Sequence, residues 1–514
     1  MNMKRISVVR SLLLILALTL LAGCGGGSGS SPNTNAPLSA GNINLIFVVS
    51  PDLANDPLGD IDQDTANLTN QGLQRSLRMA PYLKQQVLGG NNVTAIYALS
   101  PMTHLQNANK YSDIPDMTAI GFIQQFALLN QITLPVTPTS IYTGNNYPIF
   151  AAYGVLGDVP SGVFPPSSYI PGAQGLAFND DASGNNIALV IRIINANQSG
   201  FYVFSAPWET IKALMTKINT QYVYNLNLPT TYMGSNYVYA ISIIPSESAS
   251  LVTYNSNLTP PSTYPVLSAP VQSAACTNNF QPYFSRVRTG GVRGVVIPSN
   301  ANTNQTIYIV RHADAHPDPA FGFEDGNYVA AGQWRALSLA NALNGKIRPT
   351  MVYSIDPAQS YSLPYYLPFS LPNYFSVSYA RPSLTILPYA IANKLPFYLV
   401  ASFEIGTNPT VETVAEDTRK FFFTGGTFND QTLLVAWESG HIRPFLNALL
   451  KSYGGNYPQL PMPVTPPGPA GGWPDADYDT IWTVILDGGG NLTVHNAFCE
   501  GIDSDSLPAT APQF

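Results

Sequence analysis

Residues 306–314 read Thr306-Ile307-Tyr308-Ile309-Val310-Arg311-His312-Ala313-Asp314, a β-branched and aromatic run that ends in a guanidinium and an imidazole. Such a run predicts a strand buried on both faces. Downstream, Leu337, Ala340 and Leu343 share one face of a helix that begins near Gly332. Strands and helices keep alternating to about residue 500, which predicts an α/β domain with a mostly parallel sheet flanked by helices. Ligands bind such sheets at the carboxyl edge of the strands. Arg311-His312 therefore stands where chemistry is expected.

The same order of segments occurs upstream. Asn44–Val49 matches Thr306–Val310 as a buried strand, and Gly72-Leu73-Gln74-Arg75 matches Gly332-Gln333-Trp334-Arg335. Ala95-Ile96-Tyr97 with Pro101 matches Met351-Val352-Tyr353 with Pro357, and Phe201–Phe204 matches Leu433–Ala436. Ordered self-similarity of this kind predicts a repeated fold. We expect two tandem α/β domains, 42–258 and 301–514, joined by a linker over 259–300 that holds Pro260-Pro261, Pro265 and Pro270.

The chain has 514 residues, 45% hydrophobic and only 10% charged, with a formal net charge of −7. That supplies core for more than one domain. It supplies no basic face of the kind nucleic-acid phosphates require, which argues against that partner. At the N-terminus Lys4, Arg5 and Arg10 precede the apolar run Leu12–Leu18, too short to span a bilayer and read as a signal peptide over residues 1–23. The run ends in Leu21-Ala22-Gly23-Cys24, which resembles the lipobox of bacterial lipoproteins. That resemblance implies lipidation of Cys24, a glycine- and serine-rich tether to residue 41, and a cell-envelope location, periplasmic or outer-membrane, on a membrane surface. Cys276 and Cys499 remain, and they read equally as a disulfide pinning the linker to the second domain or as two buried thiols.

Phosphoryl transfer to an imidazole requires a rigidly held histidine and guanidiniums that neutralise phosphate oxygens. Val310-Arg311-His312-Ala313-Asp314, the segment Tyr328–Ala336 around Gly332 and Arg335, and Tyr379-Ala380-Arg381-Pro382-Ser383-Leu384-Thr385 together resemble the ordered motifs of the histidine phosphatase (phosphoglycerate mutase-like) superfamily. The resemblance covers roughly residues 303–500. It implies two phosphoglycerate-mutase-like domains, a small phosphorylated substrate, and no cofactor or metal. By position His312 is the implied nucleophile, Arg311 and Arg381 the phosphate clamp, and His441 the second histidine. Ser439 stands where many relatives carry that histidine, so His441 has to reach the pocket from two residues further on. The implied proton donor is a carboxylate: Glu404 first, then Glu438 or Asp314.

Residues 355–380, rich in Tyr, Phe and Pro, read either as a cap over the substrate or as a packing loop. His316 with Asp314, Asp318, Glu324 and Asp325 lacks metal-ligand spacing. The first copy has Ser50-Pro51 where Arg311-His312 is expected, no arginine between Arg78 and Arg192, and Glu209 or Thr210 near the place of the second histidine. It reads as a degenerate domain. Two functions follow: a lipid-anchored phosphomonoesterase working through phosphohistidine at His312, or a non-catalytic envelope binding protein that retains the fold. For the lipobox, globomycin treatment of expressing cells is expected to make the unprocessed precursor accumulate; normal processing under the drug would remove Cys24 from the reading.

Overall fold

A computed structural model describes residues 35–55, 59–111, 114–135, 146–150, 153–156, 185–245, 248–268, 271, 287–315, 326–357, 360–362, 376–400, 411–454 and 477–514. The first sheet consists of β1 (Ile43–Val49), β2 (Ala95–Leu99), β3 (Tyr153–Leu156), β4 (Gly200–Ala206), β5 (Tyr237–Ile243) and β6 (Ala249–Asn255), in the order β6-β5-β1-β4-β2-β3. The second consists of β7 (Val287–Arg288), β8 (Gln305–Arg311), β9 (Met351–Ile355), β10 (Phe397–Val400), β11 (Thr432–Trp437), β12 (Thr480–Leu486) and β13 (Leu492–Cys499), in the order β7-β13-β12-β8-β11-β9-β10. Six strands of each sheet follow the same order. Directions agree as well: β1 runs parallel to β4 and antiparallel to β5, as β8 does to β11 and β12. The protein is α/β, with a parallel centre and an antiparallel edge in both sheets.

Helices α1 (Asn70–Tyr82), α2 (Thr118–Leu128), α3 (Asn185–Ala196) and α4 (Trp208–Tyr222) belong to the first half. Helices α5 (Ala330–Ala342), α6 (Arg381–Asn393), α7 (Val411–Phe423) and α8 (Ser439–Ser452) belong to the second. Side chains alternate across each central strand, as a period of two requires. Leu45 and Phe47 of β1 pack toward α4, whereas Ile46 and Val48 join a cluster with α1 and α2. In β8, Ile307 and Ile309 pack toward α8, whereas Val310 joins a cluster with α5 and α6.

Those two inner clusters are one. A single apolar core runs from Leu73 of α1 and Ile123 of α2 to Leu337 of α5 and Leu387 of α6. Polar ties are buried within it: Gln124 and Asn327 exchange amide hydrogen bonds of 2.9 and 3.2 Å, and Gln333 donates to Gln125 at 3.1 Å. Residues Asn35–Phe514 accordingly form one compact unit that contains both sheets. Within 259–300, Tyr264 donates to the Leu337 carbonyl at 2.9 Å and Val287–Arg288 adds an edge strand to the second sheet. Cys499 is disulfide-bonded, and its expected partner Cys276 lies outside the described residues, as does Cys24. Among the described residues no helix is long and apolar enough to cross a membrane.

Strand register corrects one sequence expectation. Val49 pairs with Ala206 as Arg311 pairs with Trp437, and the Ser50 amide donates to Ala206 as the His312 amide donates to Trp437. The counterpart of Arg311-His312 is Val49-Ser50, not Ser50-Pro51. Pro51 has no N–H for this bond, so it cannot stand in the place of His312.

Each half also brings a helix start against the loop after its first strand. A Cβ on Gly72 would lie 2.1 Å from the Asp60 carbonyl, and one on Gly332 would lie 2.7 Å from the Asp314 carbonyl and from Tyr328 Cβ. The loop Asp314 is therefore held by a glycine contact that no other residue tolerates unstrained. Gly332→Ala is expected to destabilise the protein by about 1–3 kcal/mol, read as a lower urea midpoint; an unchanged midpoint would show that the contact relaxes at no cost.

Candidate active site

His312 follows directly on β8, at the carboxyl edge of the second sheet, and is 3% exposed. Its Nδ1 lies 2.9 Å from the Ala313 carbonyl oxygen. A carbonyl only accepts, so Nδ1 carries the proton and Nε2 keeps its lone pair. Burial pushes the imidazole well below its ordinary pKa, and the Arg381 and Arg311 charges act in the same direction. The Ala313 carbonyl and Glu438 oppose this without prevailing. His312 is thus an uncharged imidazole with a defined tautomer between two cations.

Both cations rest on aromatic rings. The Arg311 guanidinium carbon lies 4.1 Å from the Tyr478 ring centre, and Nη1 donates to the Asp477 carbonyl at 3.2 Å. Arg381 is the first residue of α6, where its amide donates to the Gly326 carbonyl at 2.9 Å and its guanidinium carbon lies 5.0 Å from the Tyr379 ring centre. The same two rings flank His312, with ring centres 6.2 Å (Tyr379) and 6.1 Å (Tyr478) away. Thr385, one turn into α6, accepts from the Ala313 amide at 2.7 Å. Two arginines held over aromatic faces lose little further freedom when they take up an oxyanion.

The second histidine arrives by a route the sequence did not show. Ser439 and Gly440 open α8, and His441 is its third residue. From there His441 Nδ1 lies 2.8 Å from Oε2 of Glu438, whose Oε1 accepts from the Ser439 hydroxyl at 2.9 Å. A Cβ on Gly440 would lie 2.9 Å from that carboxylate, so glycine leaves the room in which it folds back. Burial raises the Glu438 pKa, but the His441 bond and charge, the Gly440 amide and His312 outweigh it and hold the group far below the carboxylate range. Glu438 interacts electrostatically with both imidazoles.

The carboxylates expected as proton donors separate in this geometry. Glu438 is kept ionised and accepts from His441. Asp314 is ion-paired through Oδ2 to Arg335 Nε at 2.6 Å and is lowered by that charge and bond despite its burial. Neither holds a proton to give. Glu404 lies outside the described residues, as do His316 and residues 363–375 of the aromatic stretch. Tyr478 and Asp477, which seat Arg311, went unremarked in the sequence; the signal for them is the acidic, aromatic Asp477-Tyr478-Asp479 just before β12.

No family model matches the chain, and no curated protein matches it. Solved structures do. The native structure of a mycobacterial glucosyl-3-phosphoglycerate phosphatase superposes at a TM-score of 0.23 and 15% identity, covering 38% of this chain and 99% of that one. A structure described as mycobacterial hydrolase 2 gives 0.23 and 14%, covering 39% and 92%. A protein from Agrobacterium tumefaciens assigned as the phosphohistidine phosphatase SixA gives 0.19 and 14%, covering 35% and 92%.

The state of His312 is open to direct measurement. In long-range 1H–15N NMR spectra one imidazole is expected to remain neutral with a protonated Nδ1 at pH 6, and His312→Asn is expected to remove that signal. A His312 resonance that titrates near pH 6.5 would contradict the placement between two arginines.

Proposed function

We propose that the protein is a lipid-anchored phosphomonoesterase acting through a phosphohistidine at His312. The observation that carries this reading is the neutral His312 with its Nδ1 tied to the Ala313 carbonyl, set beside Arg311 and Arg381. A nucleophile needs its lone pair, and a phosphate monoester needs its charge met. Nε2 attacks phosphorus, the ester P–O bond breaks, and the two guanidiniums take the charge of the transferring group. Glu404 is the proposed donor of the proton to the leaving oxygen, since Glu438 and Asp314 are held ionised. Water then attacks the phosphohistidine, the N–P bond breaks, and inorganic phosphate leaves with His312 neutral again. His441, oriented by Glu438, stabilises the group in transit.

The pseudo-repeat of sheets and helices supports reading the first half as a degenerate domain of the same kind. Val49-Ser50 and Thr210 stand in the places of Arg311-His312 and His441, and none of the three carries a guanidinium or an imidazole. The anchor at Cys24 and the envelope location rest on the lipobox resemblance alone.

The soluble form from residue 25 onward is expected to hydrolyse p-nitrophenyl phosphate. His312→Ala should lower kcat by at least about a thousandfold, and Arg381→Ala should raise KM and lower kcat together. Acid quench with labelled substrate should trap an acid-labile phosphoenzyme. Absence of turnover across a panel of phosphomonoesters, or equal activity in His312→Ala, would leave the non-catalytic binding protein as the surviving reading.

A further inference from the structure

Arg311 rests on a platform that comes from far along the chain, the tripeptide Asp477-Tyr478-Asp479 just ahead of β12. All three residues are buried. Asp477 ties the platform to the strand: its Oδ1 accepts from the Asp479 and Thr480 amides at 3.0 Å, and its Oδ2 accepts from the Thr480 hydroxyl at 2.6 Å. Asp479 ties it to the segment after β13. Its Oδ1 accepts from the Gly501 and Ile502 amides at 2.8 and 2.9 Å, and its carbonyl accepts from the Glu500 amide at 2.8 Å. Tyr478 is thus fixed from both sides, and its hydroxyl accepts from the Ala315 amide at 3.5 Å, on the loop beyond His312.

Two guanidiniums lie over the Tyr478 ring, that of Arg311 at 4.1 Å and that of Arg335 at 6.0 Å from the ring centre. Cation–π attraction acts within about 6 Å and strengthens where water is excluded. Arg311 therefore has the strong contact, whereas Arg335 sits at the limit and is held by Asp314 and Glu500. The contact uses the flat face of the Arg311 guanidinium. A phosphate is met by the N–H edge, in the plane of the group. The ring can hold the cation without competing for what the cation binds.

The first half supplies an internal comparison. Val310 pairs with Ile481 as Val48 pairs with Val238, so counting back along β12 and β5 puts Asn236 in the place of Asp479 and Ser235 in the place of Tyr478. Asn236 still meets the scaffolding arginine, its Oδ1 accepting from Arg75 Nη1 at 2.6 Å. Ser235 offers no ring, and Val49 offers no guanidinium. The aromatic seat is present in the half that has the cation and absent from the half that lacks it.

We infer that Tyr478 is a positioning residue for oxyanion binding, its π face fixing the Arg311 guanidinium beside His312 in advance of the ligand. An unseated arginine would lose its rotamer freedom at the moment of binding, and that cost would appear as weaker affinity. The inference rests on reading Arg311 as a phosphate clamp, and it does not depend on turnover. Arg381 has a ring of its own in Tyr379, at the longer distance of 5.0 Å.

The experiment is calorimetric titration of inorganic phosphate into the full soluble chain and into variants at position 478, each checked for the circular dichroism spectrum of the parent. Tyr478→Phe keeps the ring and is expected to bind within about twofold of the parent, whereas Tyr478→Leu should bind roughly tenfold more weakly. Replacing Tyr478 by para-cyanophenylalanine keeps the shape but depletes the π face, and its affinity should fall between those two. A packing role alone would not separate it from phenylalanine. The inference is overturned if the parent does not bind phosphate, if the folded leucine and cyano variants bind like the parent, or if Tyr478→Phe loses as much as Tyr478→Leu. Hydrolysis of p-nitrophenyl phosphate by the same preparations decides the phosphatase reading separately: phosphate affinity that follows the series without turnover would leave the seat standing and remove the enzyme.

Discussion

The second half turns on the Arg335 guanidinium, which is fully buried and saturated with acceptors. Its Nε meets Asp314 and its Nη1 meets Glu500, both at 2.6 Å, while Nη2 donates to the Ile502 carbonyl and the Ser504 hydroxyl. A buried cation this well matched holds together what removal of one partner would force apart. Asp314 lies two residues beyond His312, and Glu500 lies just past the last strand. Ala313, whose carbonyl sets the His312 tautomer, lies between His312 and the anchored Asp314. The tautomer of the His312 imidazole is thus inherited from an ion network it never touches. Burial pushes Glu500 up to about 8 even against Arg335, a sign of how crowded with negative charge the network is.

The first half keeps a counterpart of this anchor. Arg75 Nε meets Asp60 at 2.6 Å, and Nη1 donates to the Asn236 side chain and the Leu258 carbonyl. The scaffolding arginine survives in both halves because each fold needs its loop pinned. At the strand edge itself the halves differ, Val49 standing in register where Arg311 stands in the second sheet.

The strands and the placement of Arg311-His312 could be read from the sequence because buried parallel strands are written as unbroken apolar runs. Gly332 and Arg335 were visible as a motif, but their purpose was not: Glu500 is 165 residues from Arg335, and no local pattern announces such a pairing. His441 looked displaced because the strand and the helix after it were read as one line of sequence. On a helix three residues bring a side chain back over the cap, which is how His441 meets Glu438. The first-half register slipped by one residue because Ser50-Pro51 resembles a strand end by composition, and only the ladder hydrogen bonds distinguish it from Val49-Ser50.

The apolar layer between α1–α2 and α5–α6 is completed only when both halves are present. In that respect the two halves cover each other as the subunits of a dimer do. For separate subunits the bound fraction would fall on dilution; here each face meets its mate at the effective concentration set by the connecting segment. The first half is then the permanent cover for a surface that would otherwise have to find a partner by diffusion.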